Sequence, residues 1–316
     1  MARSKIVSLL EQSFQSFPTI PNPWKGYPIT RYLRGSIPTY IRINTQRIRP
    51  KQLLHLIRKR GILAKPVSPK LSFVAEVESG SNIGSLPEHL AGYFYIQDLA
   101  SVLAVLTLSP SKSDRVLDGC AAPGGKTTLI SQLMENKGTI IANEIDKKRI
   151  VSLSSNISRM GSTNVIVTNE DLTRLPSSKW EECFSKILID APCTGDGLLP
   201  NKHEKLHFLS TKNISEHSDR QKRLLQTALK MLIPGGVLVY STCSFTIEQN
   251  EAVVKWFLEN NSNIELLPVD VPFEPFEGFV ISDDELGHLI SSHVARLFPF
   301  PHRTIGFFIS KFQKKT

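Results

Sequence analysis

The segment DRVLDGCAAPGGKTTLISQLMEN (114–136) combines a strand pattern, a glycine turn and a helix pattern. Its first residues form a short apolar run that predicts a buried strand, and its last residues predict a helix that begins at two glycines. Gly124 and Gly125 allow the backbone to approach a ligand closely. Because a helix N-terminus offers free N–H groups, this segment predicts a βα unit that binds a ligand.

Strand and helix patterns continue to alternate from this segment towards the C-terminus. The predicted strands are TIIANEI (139–145), VIVTNED (165–171), KILIDAP (186–192), GVLVYSTC (236–243) and GFFISKF (306–312), and the predicted helices cover 146–161, 218–236 and 247–261. Repeated βαβ units predict an α/β, Rossmann-like fold with a mainly parallel, doubly wound sheet. The end departs from strict alternation, which allows the last strand to run antiparallel.

A different pattern precedes these units. TYIRINT (39–45) alternates apolar and polar residues, which is typical of a half-buried strand. PKQLLHLIRKRGI (50–62) predicts an amphipathic helix with Pro50 in its first turn and Gly61 near its end. We therefore predict two domains, a small N-terminal α+β domain over 1–105 and a Rossmann-like domain over 106–316.

Positive charge is concentrated near the N-terminus. Residues 1–70 hold fourteen lysines and arginines and a single acid, Glu11, whereas the whole chain has a formal net charge of +9. The remainder of the chain is therefore slightly acidic. A basic domain beside a near-neutral one predicts binding to a polyanion through its phosphates. The alternative is a surface that only keeps the protein dissolved.

Composition excludes several classes of protein. No apolar run reaches the ~18 residues that span a bilayer, and the N-terminus lacks the features of a secretory signal, so we expect a cytoplasmic protein without a membrane partner. The cysteines are Cys120, Cys183, Cys193 and Cys243, and no pair has CxxC spacing, so we expect no metal site. A cytosolic chain keeps its thiols reduced, which leaves catalysis or plain burial as their roles.

The glycine turn does not match a phosphate loop. The pattern G-x4-GK[ST] would need a glycine at position 120, where this chain has cysteine. Instead, Glu144 lies at the end of the predicted second strand and Asp171 ends the predicted third strand, in the positions where acids contact ribose and adenine in Rossmann-like folds. These residues suit a ligand that carries an adenosine and no phosphate, such as S-adenosylmethionine. Solvated loop residues are the alternative for any one of these acids.

Two cysteines lie at the ends of two later strands. Cys193 lies three residues after Asp190 at the end of one predicted strand, and Cys243 ends another. Adjacent strands are about 5 Å apart, so both thiols can face one pocket. Methylation of cytosine carbon 5 needs this equipment: a thiolate adds to carbon 6, an acid protonates N3, and a further polar group helps the product to leave. Spacing alone does not decide which thiol attacks. Cys183 has no such neighbours and is expected to be structural.

Three motifs resemble those of a known family. They are DGCAAPGGKT (118–127), DAPCTGDG (190–197) and YSTCSFTIEQNEAVV (240–254), with weaker matches at RINT (42–45), GYFYIQDLAS (92–101) and RLFPFPHRTIGFFISK (296–311). In this order they resemble the RsmB/NOP (Sun) family of RNA cytosine-5 methyltransferases. The resemblance implies a class I S-adenosylmethionine-dependent enzyme that forms 5-methylcytosine in tRNA or rRNA. It also implies that the small N-terminal domain binds RNA.

The resemblance also implies roles for individual residues. Cys243 would attack carbon 6, Cys193 would assist product release, Asp190 would contact the base and Lys126 would face the substrate. The expected cofactor contacts are Cys120, Ala121, Ala122, Pro123, Gly124, Gly125, Lys126, Glu144, Arg149, Asp171 and Asp190. We expect a monomer.

The chain departs from the family pattern at two places. Family members usually carry an acid where this chain has Ile305, and an arginine near the position where Leu199 and Pro200 intervene and Lys202 is the nearest base. These departures concern substrate contacts rather than the cysteines. Two alternatives stay open at this point: an RNA-binding assembly factor with a vestigial pocket, and methylation of DNA or protein.

Overall fold

The computed structural model of the chain describes residues 37–78, 82–175, 180–198 and 210–316. The predictions about residues 1–36, Leu199, Pro200 and Lys202 therefore lie outside the described residues. One compact unit comprises Pro38–Asp171, and a second contains Leu172–Thr316. The domain boundary predicted after residue 105 falls inside the first compact unit. The division into an RNA-binding part and a catalytic part stays a prediction.

The first unit begins with a small antiparallel sheet. Its strands are β1 (Thr39–Ile43), β2 (Ala64–Pro66), β3 (Val74–Val77) and β4 (Phe94–Ile96), in the order β2-β3-β1-β4. Helix α1 (Pro50–Lys59) covers this sheet, because Leu53 and Ile57 lie on its buried face and pack against Ile41 and Ile43. The strand and helix predicted over 39–62 are thus confirmed. The last turn of α1 is basic and exposed.

Parallel strands follow in the same unit. They are β5 (Arg115–Asp118), β6 (Thr139–Asn143) and β7 (Val165–Thr168), paired in that order. The helices are α2 (Pro87–Leu90), α3 (Leu99–Leu108), α4 (Gly125–Leu133) and α5 (Lys147–Met160). Gly124 precedes α4 with a φ of +104°, and Gly161 ends α5 with a φ of +74°. Both glycines occupy the left-handed region that disfavours other residues, so the turns predicted from glycine are confirmed.

A buried arginine joins the small sheet to α4. The guanidinium of Arg42 donates from Nε to Gln97 Oε1 at 2.7 Å, from Nη1 to Gln132 Oε1 at 2.5 Å and from Nη2 to Thr128 Oγ1 at 2.7 Å. The side chain is fully buried, and this burial lowers the pKa of Arg42 to about 9. Arg42 therefore keeps its charge at neutral pH, and each of these donors has a polar partner.

The second unit mixes parallel and antiparallel strands. They are β8 (Phe184–Asp190), β9 (Leu232–Thr242), β10 (Ile264–Leu267), β11 (Ala295–Leu297) and β12 (Phe307–Lys314). The helices are α6 (Thr211–Met231), α7 (Glu251–Glu259), α8 (Glu285–His293) and α9 (Pro299–His302). β8 and β9 are parallel, whereas β12 runs antiparallel to β9, β10 and β11. The departure predicted for the last strand is confirmed.

The junction of α6 and β9 differs from the prediction. The helix was expected to end at Pro234-Gly235-Gly236, but it ends at Met231, and those three residues belong to β9. Pairing with β8 explains the difference: Phe184 faces Leu232 and Lys186 faces Val237, so the residues between form an irregularity in the strand. Gly235, with a φ of +74°, allows this shift of register.

The observed architecture confirms the predicted fold class, an α/β fold in which parallel strands alternate with helices. Within the described ranges, no helix has both the length and the apolar character needed to cross a membrane.

Candidate active site

Two turns lie side by side where the parallel strands β8 and β9 end. Asp190, the last residue of β8, pairs with Ser241 of β9, and Ser241 Oγ donates to Asp190 Oδ1 at 2.9 Å. The next residue, Ala191, donates its N–H to the carbonyl of Ser241 at 2.8 Å. The chain then turns after each strand, so the residues that follow Ala191 and Ser241 begin as close neighbours.

These turns bring two thiols into contact. The Sγ atoms of Cys193 and Cys243 lie 3.0 Å apart, although 50 residues separate them in the chain. All four cysteines are free thiols. Cys183 comes just before β8 begins, at the opposite end of that strand, and its N–H bonds the carbonyl of Met231. The structure therefore brings together Cys193 and Cys243, one from each of the two later motifs.

The buried thiol of Cys193 is a weak acid. The hydrogen bond with Cys243 and the burial of the side chain raise the pKa of Cys193 well above its ordinary value. Cys193 is therefore a neutral thiol at physiological pH, and either sulfur can be the donor in its contact with Cys243.

Two buried polar residues support these turns, although neither was predicted as a site residue from the sequence. The carboxylate of Asp196, 1% exposed, accepts the N–H of Phe245 at 2.5 Å and also the hydroxyl of Thr194, and burial raises its pKa. Gln249, 0% exposed, contacts both turns through its side-chain amide. Both residues lie within the motifs DAPCTGDG and YSTCSFTIEQNEAVV, which is the only local signal that could have found them.

In the first unit, the glycine turn surrounds a buried carboxylate. Glu144, 2% exposed, follows β6 and accepts the N–H of Ala122 at 3.3 Å. Arg149 lies 3.2 Å from the same carboxylate and also donates to the carbonyl of Ala122 at 2.5 Å. The structure thus brings Ala122, Glu144 and Arg149 together, as a ligand site built on this turn requires.

The remaining predicted cofactor residues lie on or near the same strands. Cys120, Ala121 and Pro123 belong to the turn between β5 and α4. Lys126 lies in the first turn of α4 and donates from Nζ to Ser101 Oγ at 3.2 Å. Asp171 was predicted to end the third strand but lies three residues beyond the end of β7, because the pairing with β6 stops at Thr168. These positions are all at or beyond the carboxyl ends of parallel strands, where α/β folds bind ligands.

The local chemistry of this unit fits an adenosine-containing cofactor. The carboxylate of Glu144 can accept hydrogen bonds from ribose hydroxyls. A Cβ at Gly125 would lie 3.3 Å from the ring of Tyr95, so that ring would have to move by a few tenths of an ångström to admit a side chain there. The turn also lacks the phosphate-loop glycine at position 120. Within the described ranges, no cluster of three His, Cys, Asp or Glu residues could hold a metal ion.

Several known methyltransferases are similar to this chain. The family described as "16S rRNA methyltransferase RsmB/F" matches residues 105–313. The 28S rRNA (cytosine-C(5))-methyltransferase of Mus musculus is 36% identical over 282 residues, which cover 88% of this chain and 35% of the mouse protein. Ribosomal RNA small subunit methyltransferase F of Escherichia coli (strain K12) is 37% identical over 280 residues, which cover 87% and 56%. The chain thus spans about a third to just over half of these relatives.

Solved structures are similar along almost the whole chain. NSun6 from Pyrococcus horikoshii, crystallised with SFG, has a TM-score of 0.79 and 28% identity, covering 91% of this chain and 94% of that one. A methyltransferase homolog protein from the same organism has a TM-score of 0.77 and 35% identity, covering 90% and 89%.

Proposed function

Because the chain belongs to the RsmB/F family of methyltransferases, we propose that it methylates carbon 5 of a cytosine in RNA, with Cys243 as the nucleophile. The observation that carries this proposal is the pair of free thiols 3.0 Å apart at the ends of two neighbouring strands. The relatives named as rRNA (cytosine-C(5))-methyltransferases favour rRNA as the substrate class.

The cytosine would react through a covalent bond to the protein. The thiolate of Cys243 adds to carbon 6, and Asp190 donates a proton towards N3, so that carbon 5 becomes nucleophilic. Carbon 5 then takes the methyl group and gives its own proton to solvent water. N3 returns its proton to Asp190, and the sulfur–carbon bond breaks to free Cys243 as a thiolate. Cys193, whose sulfur contacts that of Cys243, is positioned to assist this release.

S-adenosylmethionine would supply the methyl group, as an electrophilic carbon on a positively charged sulfur. NSun6 was crystallised with SFG, an analogue of this cofactor, which supports the assignment. Glu144 would bind the ribose, with its carboxylate oriented by Ala122 and Arg149. The other proposed contacts are Cys120, Ala121, Pro123, Gly124, Gly125, Lys126, Asp171 and Asp190.

The basic surface of the N-terminal part would bind the RNA backbone. In α1, the apolar residues Leu53 and Ile57 are buried, whereas Lys51, Arg58 and Lys59 are exposed. Cations arranged on an exposed helix face bind phosphates without reading sequence. The target cytosine must leave its stack to reach the thiols, so we propose a loop, a junction or an unfolded region as its location.

Transfer of labelled methyl to RNA by the purified full chain tests this function. We expect Cys243→Ala to abolish transfer, while Cys183→Ala, a matched substitution away from the turns, keeps it. We expect Cys193→Ala to accumulate a covalent protein–RNA adduct on a denaturing gel, because release would be slowed. Full activity of Cys243→Ala would refute the assignment of the nucleophile.

Two further measurements separate the alternatives. Calorimetry with S-adenosylmethionine should show binding by the wild-type chain, whereas an assembly factor with a vestigial pocket need not bind it. Competition between RNA and DNA in the transfer assay should favour RNA; preferential methylation of DNA would overturn the proposed substrate.

A further inference from the structure

One buried amide connects the two cysteine-bearing turns. The first turn, residues 192–197, carries Cys193, and the second, residues 242–246, carries Cys243. Gln249 lies between the second turn and α7, and its side chain is 0% exposed. Its role is not explained by the proposed chemistry, since a carboxamide neither attacks carbon nor transfers a proton readily at neutral pH.

The amide contacts the residue that follows each cysteine. Gln249 Nε2 donates to Thr194 Oγ1 at 2.8 Å and to Ser244 Oγ at 3.0 Å, and lies 2.8 Å from Thr246 Oγ1. Its Oε1 accepts the N–H of Thr194 at 3.1 Å, which fixes the orientation of the amide. One side chain thus holds the backbone and the hydroxyl of one turn and a hydroxyl of the other.

The amide is itself held in place by buried groups. Tyr240 donates its hydroxyl to the carbonyl of Gln249 at 2.5 Å. Gln221 of α6 donates from Nε2 to the carbonyl of Pro192 at 2.9 Å, and the same nitrogen lies 3.4 Å from Gln249 Oε1. Because both the backbone and the side chain of Gln249 are anchored, any displacement of the amide would move the turns that it joins.

We propose that Gln249 is a positioning residue that fixes the separation of the Cys193 and Cys243 sulfurs. The proposal rests on the proposed function, in which one thiol forms the bond to cytosine and the other assists its cleavage. Both sulfurs must reach the same base, and a displacement of about 1 Å can cost on the order of 100-fold in rate. The amide acts through Thr194 and Ser244 and does not touch the substrate.

Gln249→Leu tests the role in a folded protein. It removes both donors and the acceptor while keeping a side chain of similar volume. We expect single-turnover methyl transfer to fall on the order of 100-fold, with the Kd for S-adenosylmethionine within about 2-fold of wild type. Gln313→Leu is the matched control, since Gln313 Nε2 donates to Gly235 at 3.0 Å and touches neither turn. We expect that variant to turn over at the wild-type rate.

Two one-sided variants provide a readout that general loss of stability would not produce. Thr194→Val removes the hydroxyl contacts with Gln249 and Asp196 on the Cys193 side, so release should slow and the covalent protein–RNA adduct should accumulate. Ser244→Ala removes the hydroxyl contacts with Gln249 and Thr246 on the Cys243 side, so adduct formation should slow without accumulation. These opposite effects decide the question even if Gln249→Leu does not fold.

The positioning role and the proposed function fail in distinguishable ways. If Cys243→Ala still methylates RNA, the proposed function is wrong. If Cys243→Ala is inactive while Gln249→Leu folds and turns over within about 3-fold of wild type, only the positioning role is overturned. The same holds if Thr194→Val and Ser244→Ala give identical adduct levels.

Discussion

The ion pair between Glu251 and Arg296 is a strong test of the packing behind the cysteine turns. Arg296 Nε donates to Glu251 Oε1 at 2.6 Å and Nη2 donates to Oε2 at 2.5 Å, and the two side chains are 1% and 0% exposed. Nη1 donates to the carbonyl of Phe245 at 2.9 Å, two residues beyond Cys243. Glu251→Gln keeps the shape of the side chain but leaves the guanidinium buried without a counter-charge.

The expected loss of stability is large. Breaking a buried ion pair by removing one partner costs about 3–5 kcal/mol. In a unit of this size, 1 kcal/mol shifts Tm by about 2–4 °C, so Glu251→Gln should lower Tm by roughly 10 °C in differential scanning calorimetry. Glu216→Gln is the matched control: Glu216 is 64% exposed and lies 3.8 Å from Lys212, so it should cost less than about 0.5 kcal/mol.

Two results would contradict this reasoning. One is a Tm for Glu251→Gln within about 2 °C of the Tm for Glu216→Gln, because the free energies of unfolding of the two variants would then differ by less than about 1 kcal/mol. The other concerns the double variant Glu251→Leu/Arg296→Met, which removes both charges and should recover a large part of the lost Tm. A double variant no more stable than Glu251→Gln would show that the cost does not come from the unpaired charge.

Three further predictions concern the site and the small sheet. Gly197→Ala would place a Cβ 2.2 Å from the carbonyl oxygen of Gly306 and 2.8 Å from that of Cys243, so we expect lower Tm and slower methyl transfer. Because its pKa is raised, Cys193 holds less thiolate at pH 8 than an ordinary cysteine does. The rate of its alkylation by iodoacetamide, followed by mass spectrometry, should therefore still increase above pH 9. A rate that stops increasing below pH 9 would contradict this. A lysine at position 42 cannot supply donors from three nitrogens in a fixed planar arrangement, so we expect Arg42→Lys to lower the free energy of unfolding, measured by calorimetry, by about 3 kcal/mol.

Local patterns predicted most of the secondary structure. The strand and helix around Gly124 follow from an apolar run and a residue type that accepts a φ of +104°. The start of α6 was predicted too late, although Ser210 accepts the N–H of Asn213 and so supplies an N-cap signal. Its end was misjudged because pairing of Phe184 with Leu232 draws the chain into β9, and such pairing is not written in the local sequence.

The reactive groups could be predicted, but the residues that support them could not. Cys193 and Cys243 lie in short motifs next to strand ends, so their proximity follows from the parallel sheet. The contact between Gln249 and Thr194 spans 55 residues and depends on how two turns pack. Arg42 occupies a polar position in an alternating strand, and nothing local indicates that it reaches Gln132, 90 residues away.

The buried guanidinium of Arg42 limits how chimeras of this protein can be built. A hybrid joined after residue 105 would take Arg42 and Gln97 from one parent, and Thr128 and Gln132 from the other. Unless both parents share these four residues, the hybrid would bury polar side chains whose hydrogen-bond partners are missing. Hybrids of related proteins should therefore fold when all four residues come from the same parent. Suitable points for joining two parents lie outside the span from β1 to α4.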